Sequence, residues 1–403
     1  MIDTRYQWVA ELERLSPIIK TYDLTNTTLK KNTVYVDRTS NQSDRTRDKD
    51  AFNVANSPPH NAIIVDAVAA LQGKMPDDAI RSLLGELTSK KTYGAFSELV
   101  AYKWLNDAGL PFTAQAPMTG ADVVNPNGTA ADGQTTFPSG KIANLDIKGF
   151  GFVEHKTEIL QKRLADEFPK DVVQFGGDWS LSIDTLQDLL DYKGFSSLVA
   201  ELQSSGQAKR GALEFSVQKK QRMNVSTRSI NLTTMAQLNE GYPYRFTGQF
   251  TRHRPFFLVF IIHPWFGGGQ LNKNFAGTTD HVAKTLAAGA FQSFVNDMTL
   301  VEGITHAEAS ALLSGLVFLN GWPATGTDAP PSKPFCRVYL NGGAKHPLEV
   351  SDFDPFIKAF GDGMLVERID PPPQPRSWRG LAAGLLLVVA AVAVLHYLAA
   401  QHQ

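Results

Sequence analysis

The chain has 403 residues, of which 43% are hydrophobic and 20% charged, enough for one large or two ordinary folded domains and too apolar for a disordered polymer. Its single cysteine, Cys336, excludes an internal disulfide framework and a cysteine-based zinc site. A formal net charge of −1 argues against a protein that coats nucleic acid non-specifically, because phosphate contacts draw on Lys and Arg.

Residues 1–90 read as a mostly helical N-terminal region. Helical stretches over Tyr6 to Thr21, Ala62 to Leu71 and Pro76 to Leu87 flank a polar loop from Thr25 to Pro59. The start, Met1-Ile2-Asp3-Thr4-Arg5, leads into no apolar run and carries no signal-peptide pattern. Tyr93 to Ala108 reads as a helix, with Phe96, Leu99, Val100, Lys103 and Trp104 on one stripe and Gly109-Leu110-Pro111 as its stop. Glu98 sits on the flank shared by Ala101, Tyr102 and Leu105. Strands are expected over Pro111 to Ala116, over Ala121 to Asn125 with Asp122 in it, and over Ile142 to Phe150. A long turn-rich loop from Pro126 to Gly140 separates the last two.

The third of these strands is the most informative. In Asn144-Leu145-Asp146-Ile147-Lys148-Gly149 the side-chain alternation of a strand puts Asp146 and Lys148 on one face and Leu145 and Ile147 on the other. Burying a carboxylate and an ammonium is costly unless they pair or bind a metal. The order helix Glu, strand Asp, then Asp-x-Lys resembles the PD-(D/E)xK superfamily of restriction-endonuclease-like nucleases over Thr92 to Phe150. Ala121 stands where the Pro that gives the family its name often sits. The resemblance implies an α/β fold with a mixed sheet flanked by helices. It implies Glu98, Asp122, Asp146 and Lys148 as catalytic residues, with Glu98, Asp122 and Asp146 as ligands of Mg²⁺ or Mn²⁺. Lys148 would orient the attacking water and stabilise charge at the scissile phosphate. A literal competitor, Glu154-His155-Lys156, lacks the apolar flanks of a central strand.

Further along, Thr157 to Phe168 and Leu181 to Gln203 read as helices. Leu213 to Lys220 reads as a strand whose polar face (Glu214, Ser216, Gln218, Lys220) would extend the site if it neighboured the Asp146 strand. Pro255 to Trp265 is an apolar strand of the kind buried on both faces. Gly267-Gly268-Gly269 after it lacks the setting of a phosphate-binding loop, and His263 reads as a core or surface histidine. Helices are expected over Thr278 to Met298 and Thr305 to Leu319, and a strand over Cys336 to Leu340 that holds an inert core thiol. Basic clusters stand at Lys90-Lys91, Lys209-Arg210, Lys219-Lys220-Gln221-Arg222 and Arg252-His253-Arg254.

The C-terminus is of another kind. Leu381 to Leu395 has no charged or hydrogen-bonding side chain, and continued to Ala400 it reaches about 20 residues, the length that spans a bilayer as a helix. Trp378 and Tyr397 bracket it, and Arg376 and Arg379 precede it, which keeps the globular part cytoplasmic by the positive-inside rule. The expected layout is therefore 1–90, a nuclease domain over 91–369 with an insertion, a Pro-rich linker over 370–379 and a transmembrane tail anchor over 380–400. The implied partners are DNA, the lipid bilayer, and a second copy or partner protein; a membrane-tethered nuclease of this kind suits defence against invading DNA. Two other classes fit the sequence: a membrane-anchored scaffold without activity, and a hydrolase that uses His263 or Cys336.

Overall fold

The computed structural model describes residues 5–27, 58–88, 92–118, 120–125, 130–150, 153–220, 228–262, 280–321 and 335–372. Helices Arg5–Arg14, Pro17–Lys20, Leu24–Thr27, Pro58–Leu71, Asp77–Leu87 and Thr92–Asp107 lead into strands β1 (Phe112–Pro117), β2 (Ala130–Thr136) and β3 (Ile142–Phe150). Helix Val153–Glu167 follows, then β4 (Asp171–Asp178), helices Ile183–Leu190 and Tyr192–Ser205, β5 (Gln207–Arg210), β6 (Leu213–Lys219) and β7 (Arg228–Ser229). Helix Leu232–Leu238 and the 3-10 helix Tyr242–Gln249 lead to β8 (Phe256–Ile262) and helix Asp280–Ser293. A ribbon of β9 (Leu300–Val301) and β10 (Ile304–Thr305), helix His306–Leu312, β11 (Gly315–Asn320), β12 (Cys336–Asn341), helix Asp354–Phe360 and β13 (Met364–Ile369) complete the order.

Seven strands form a mixed sheet in the order β1-β2-β3-β8-β11-β12-β13. β2 runs antiparallel to both β1 and β3, and β3, β8 and β11 lie parallel to one another. Every residue of β8 is buried, as its unbroken apolar run requires at the centre of a sheet covered on both faces. Leu145, Ile147, Phe257, Val259, Ile261, Val317 and Leu319 pack on one face against the helices that precede β1. Leu258, Phe260, Ile262, Leu316 and Phe318 pack on the other, against helices and strands from the second half of the chain. The N-terminal helices expected to stand apart as residues 1–90 thus share a core with the sheet.

Between β3 and β8, which are neighbours in the sheet, the chain builds a second, four-stranded sheet in the order β5-β6-β4-β7. β6 pairs there with β4 and β5 and has no place beside β3, so its polar face belongs to the insertion. Glu214 pairs with Lys209 and Lys219 with Asp171 on that sheet.

Several expected elements change. The helix expected over Thr305 to Leu319 ends at Leu312, and Gly315 opens β11. A Cβ on Gly315 would collide with the Phe257 ring and the Tyr339 carbonyl oxygen, so close strand packing replaces the helix there. The helix expected over Leu181 to Gln203 is two helices, divided at Asp191, whose extended backbone caps both. The chain divides into Met1–Asp370 and Pro371–Gln403. The expected anchor, Leu381 to Ala400, lies outside the described residues, as do His263, Gly267 to Gly269 and Lys90-Lys91. Among the described residues no helix is long and apolar enough to cross a membrane.

Candidate active site at a strand fork

The β2–β3 ladder runs from Thr136↔Ile142 to Gly133↔Leu145 and then stops. One residue further, the carboxylate of Asp132 takes over: its Oδ2 accepts the Ile147 main-chain N–H at 2.7 Å. A side chain thus stands in for a main-chain acceptor where the ladder ends. On the other side, β1 pairs with β2 at Ala114↔Gly133 and Ala116↔Ala131 and skips Gln115. Gln115 has φ of 48°, a left-handed conformation costly for a residue with a Cβ. The sheet is therefore irregular on both sides of Asp132.

Asp146 and Lys148 project from β3 at this fork, in register with Leu258 and Phe260 of β8. Asp146 is 3% exposed. Lys148 Nζ lies 2.6 Å from Asp146 Oδ1 and 3.9 Å from Asp132 Oδ2, and 5.5 Å over the Phe246 ring. The other oxygen, Asp146 Oδ2, is buried with no hydrogen-bond donor. Burial drives the Asp146 carboxyl well above the ordinary carboxylate range; Lys148 opposes the rise, and the Asp132 charge and the hydrogen bond that a protonated Asp146 would donate to Asp132 add to it.

Glu98 approaches from helix Thr92–Asp107. Its neighbour one turn on, Tyr102, is fully buried and stacks on Phe112 with ring centroids 6.0 Å apart. The Tyr102 hydroxyl donates to the Asp132 carbonyl oxygen at 2.6 Å and reaches Glu98 Oε2 at 3.2 Å. Burial first, then the Asp132 charge, push the Glu98 carboxyl up to about 7, against the pull of the Tyr102 hydrogen bond and Lys148. Helix and fork are thus joined through one phenol.

Three of the four residues expected in the site, Glu98, Asp146 and Lys148, converge here, and Asp122 does not. The strand expected over Ala121 to Asn125 is absent. Asp122 lies in a turn, its carbonyl accepting the Arg252 N–H at 2.8 Å, and only the single bridge Val123↔Thr251 follows it. The charges that act on Glu98 and Asp146 include Asp132 and Lys148 and not Asp122. The residue that takes the place expected of Asp122 is Asp132, in the stretch expected to be loop. The same dipeptide, Ala-Asp, occurs at 121–122 and at 131–132. What separates them is the period-two burial of Ala131, Gly133 and Thr135, a strand signal muted by small side chains. Glu154, His155 and Lys156 belong to helix Val153–Glu167, where Lys156 hydrogen-bonds Gln187. Cys336 is buried in β12, and burial raises its thiol far above the ordinary range, which removes it as a nucleophile.

Among the described residues no group of three or more His, Cys, Asp or Glu side chains is gathered as a ready metal cage. A hard cation such as Mg²⁺ needs less, one or two carboxylates completed by water and phosphate oxygens. Asp132 and Asp146, with an acceptor oxygen that lacks any donor, fit that need, and Glu98 stands behind them. Comparison with protein families, with curated proteins and with solved structures finds no match for this chain.

Proposed function

We infer that the chain is a metal-dependent phosphodiesterase of the PD-(D/E)xK kind that cuts nucleic acid, with DNA as its substrate, and that its apolar C-terminus tethers it to a membrane. The observation that carries this reading is Asp146 Oδ2, a buried acceptor without a donor, set beside Asp132 and Lys148 where two strands part. Leaving such an oxygen bare is unfavourable unless a cation or proton completes it. In this reading Asp132 and Asp146 hold Mg²⁺ or Mn²⁺ and Glu98 supports the site. The chemistry an ion held there would supply is charge neutralisation at the phosphate and acidity at a water. Lys148, already held by Asp146, directs its ammonium toward a phosphate oxygen and the incoming water. Hydrolysis adds water across one P–O bond and leaves a phosphomonoester and a free hydroxyl. Leu381 to Ala400 supports the tether through its length and composition, and its flanking arginines support a cytoplasmic body. A protein so placed would meet foreign DNA as it crosses that membrane.

The test is cleavage of supercoiled plasmid by the full chain in detergent, with Mg²⁺ or Mn²⁺, beside Asp146→Asn. The expected result is metal-dependent nicking that falls by at least about 100-fold in the variant. Equal cutting by both proteins would remove the mechanism. A second reading, a non-enzymatic membrane-anchored scaffold, is favoured by the near-neutral charge and by the lack of a ready metal cage among the described residues. It predicts no cutting of duplex DNA, single-stranded DNA or RNA by either form.

A further inference from the structure

The Tyr102 hydroxyl meets two polar groups of the site at once. A phenol carries one hydrogen and two acceptor lone pairs. That hydrogen is shared between two acceptors, the Asp132 carbonyl oxygen at 2.6 Å and, on a longer arm, Glu98 Oε2 at 3.2 Å. The ring itself is fixed independently: it is 0% exposed and lies parallel to Phe112, with an interplanar angle of 4°. Tyr102 and Glu98 stand one turn apart on the same helix, so they move together. Asp132 lies on a strand whose neighbour, Gln115, is in a left-handed conformation, so its main chain is the least regular part of the sheet around the fork. The hydroxyl therefore bridges the helix carboxylate to the strand that carries a second carboxylate, at the point where that strand leaves its ladder.

We propose that Tyr102 is a positioning residue whose hydroxyl sets the spacing between Glu98 and the Asp132–Asp146 pair, and through it the affinity of the site for a divalent cation. This rests on the reading of Asp132 and Asp146 as cation-holding carboxylates. Partners one step behind a ligand commonly change metal affinity by about 10- to 100-fold when removed. Tyr102→Phe keeps the ring and its stack and deletes only the bridge.

Mn²⁺ binding to the full chain is followed by electron paramagnetic resonance, with thermal melting in the absence of metal as the companion measurement. In Tyr102→Phe the Mn²⁺ dissociation constant should rise about tenfold, while the melting temperature falls by no more than about 5 °C. Unchanged Mn²⁺ affinity in a folded variant overturns the proposal and leaves the nuclease reading standing. An affinity loss accompanied by a larger melting shift also overturns it, since the helix as a whole would then have moved. Failure of the wild-type chain to bind Mn²⁺ removes both readings together.

Discussion

Two ionic clusters lie on the seven-stranded sheet, and they are finished to different degrees. On β12, Arg337 is 8% exposed and pairs bidentately with Asp280, its Nη2 3.1 Å from Oδ2 and its Nε on Oδ1. Its Nη1 donates to the Cys336 and Gly363 carbonyl oxygens, both at 3.1 Å, and the guanidinium lies 3.7 Å over the Phe335 ring. Four of its five N–H groups are used. On β3, Asp146 is buried more deeply, yet one of its oxygens has no donor and its one cationic partner is shared with Asp132. A closed ion pair holds structure together; an open one leaves coordination for something that arrives later. The difference lies in how completely each buried charge is satisfied, and it is the feature on which the proposed role of Asp146 rests.

The contrast can be broken by substitution. Arg337→Ala should have the largest effect on stability, a loss of about 3 kcal/mol in urea unfolding, at the low end for a buried pair because the Asp280 side chain is 37% exposed. Asp146→Asn should change stability by less than about 1 kcal/mol, since the amide removes an unsatisfied buried acid as well as a pair. If Asp146→Asn proves as damaging as Arg337→Ala, the two clusters are of one kind.

Glu98 sharpens the comparison through pH. Its folded-state value is raised to about 7 from 4.5, so the protonated form is favoured by folding. The stabilisation is full below the unfolded value and is lost as pH rises through the folded one. Metal-free wild type should therefore lose about 3 kcal/mol relative to Glu98→Gln between pH 4.5 and pH 7. Parallel pH profiles for the two proteins would show that Glu98 is not held as described. The smallest effect is expected at Asp122: Asp122→Ala should shift stability by no more than about 0.5 kcal/mol and leave cleavage intact, while Asp132→Ala abolishes it. The reverse outcome would restore Asp122 to the site.

Much of this was legible in the chain. The alternation of Leu145 and Ile147 with Asp146 and Lys148 fixes both the strand and the shared face, and the unbroken run around Phe256–Ile262 announces a doubly covered strand. Glu98 lies on a largely apolar helix whose stop at Gly109-Leu110-Pro111 is plain in the sequence. β2 was hidden because Ala131, Gly133 and Thr135 bury little area apiece and its flanks are rich in turn residues. Residues 305–319 mislead because the apolar residues from Leu312 to Leu319 suit a buried helix as well as a strand, and only Ser314-Gly315 marks the change. The end of the β2–β3 ladder at Asp132, where a side chain takes a ladder hydrogen bond, is encoded by no local pattern.

The insertion between β3 and β8 has a consequence for how the protein is made. Glu98, Asp132, Asp146 and Lys148 all leave the ribosome within the first 150 residues. The strand that backs Asp146 and Lys148 follows only at Phe256–Ile262, after the whole four-stranded sheet has been synthesised. Non-local pairing of this kind is slow to form, because a long loop must close before its contacts repay the entropy. A nascent or truncated chain therefore carries Glu98, Asp132, Asp146 and Lys148 and lacks the neighbour that β3 pairs with, so this part of the sheet is completed only once translation is well advanced.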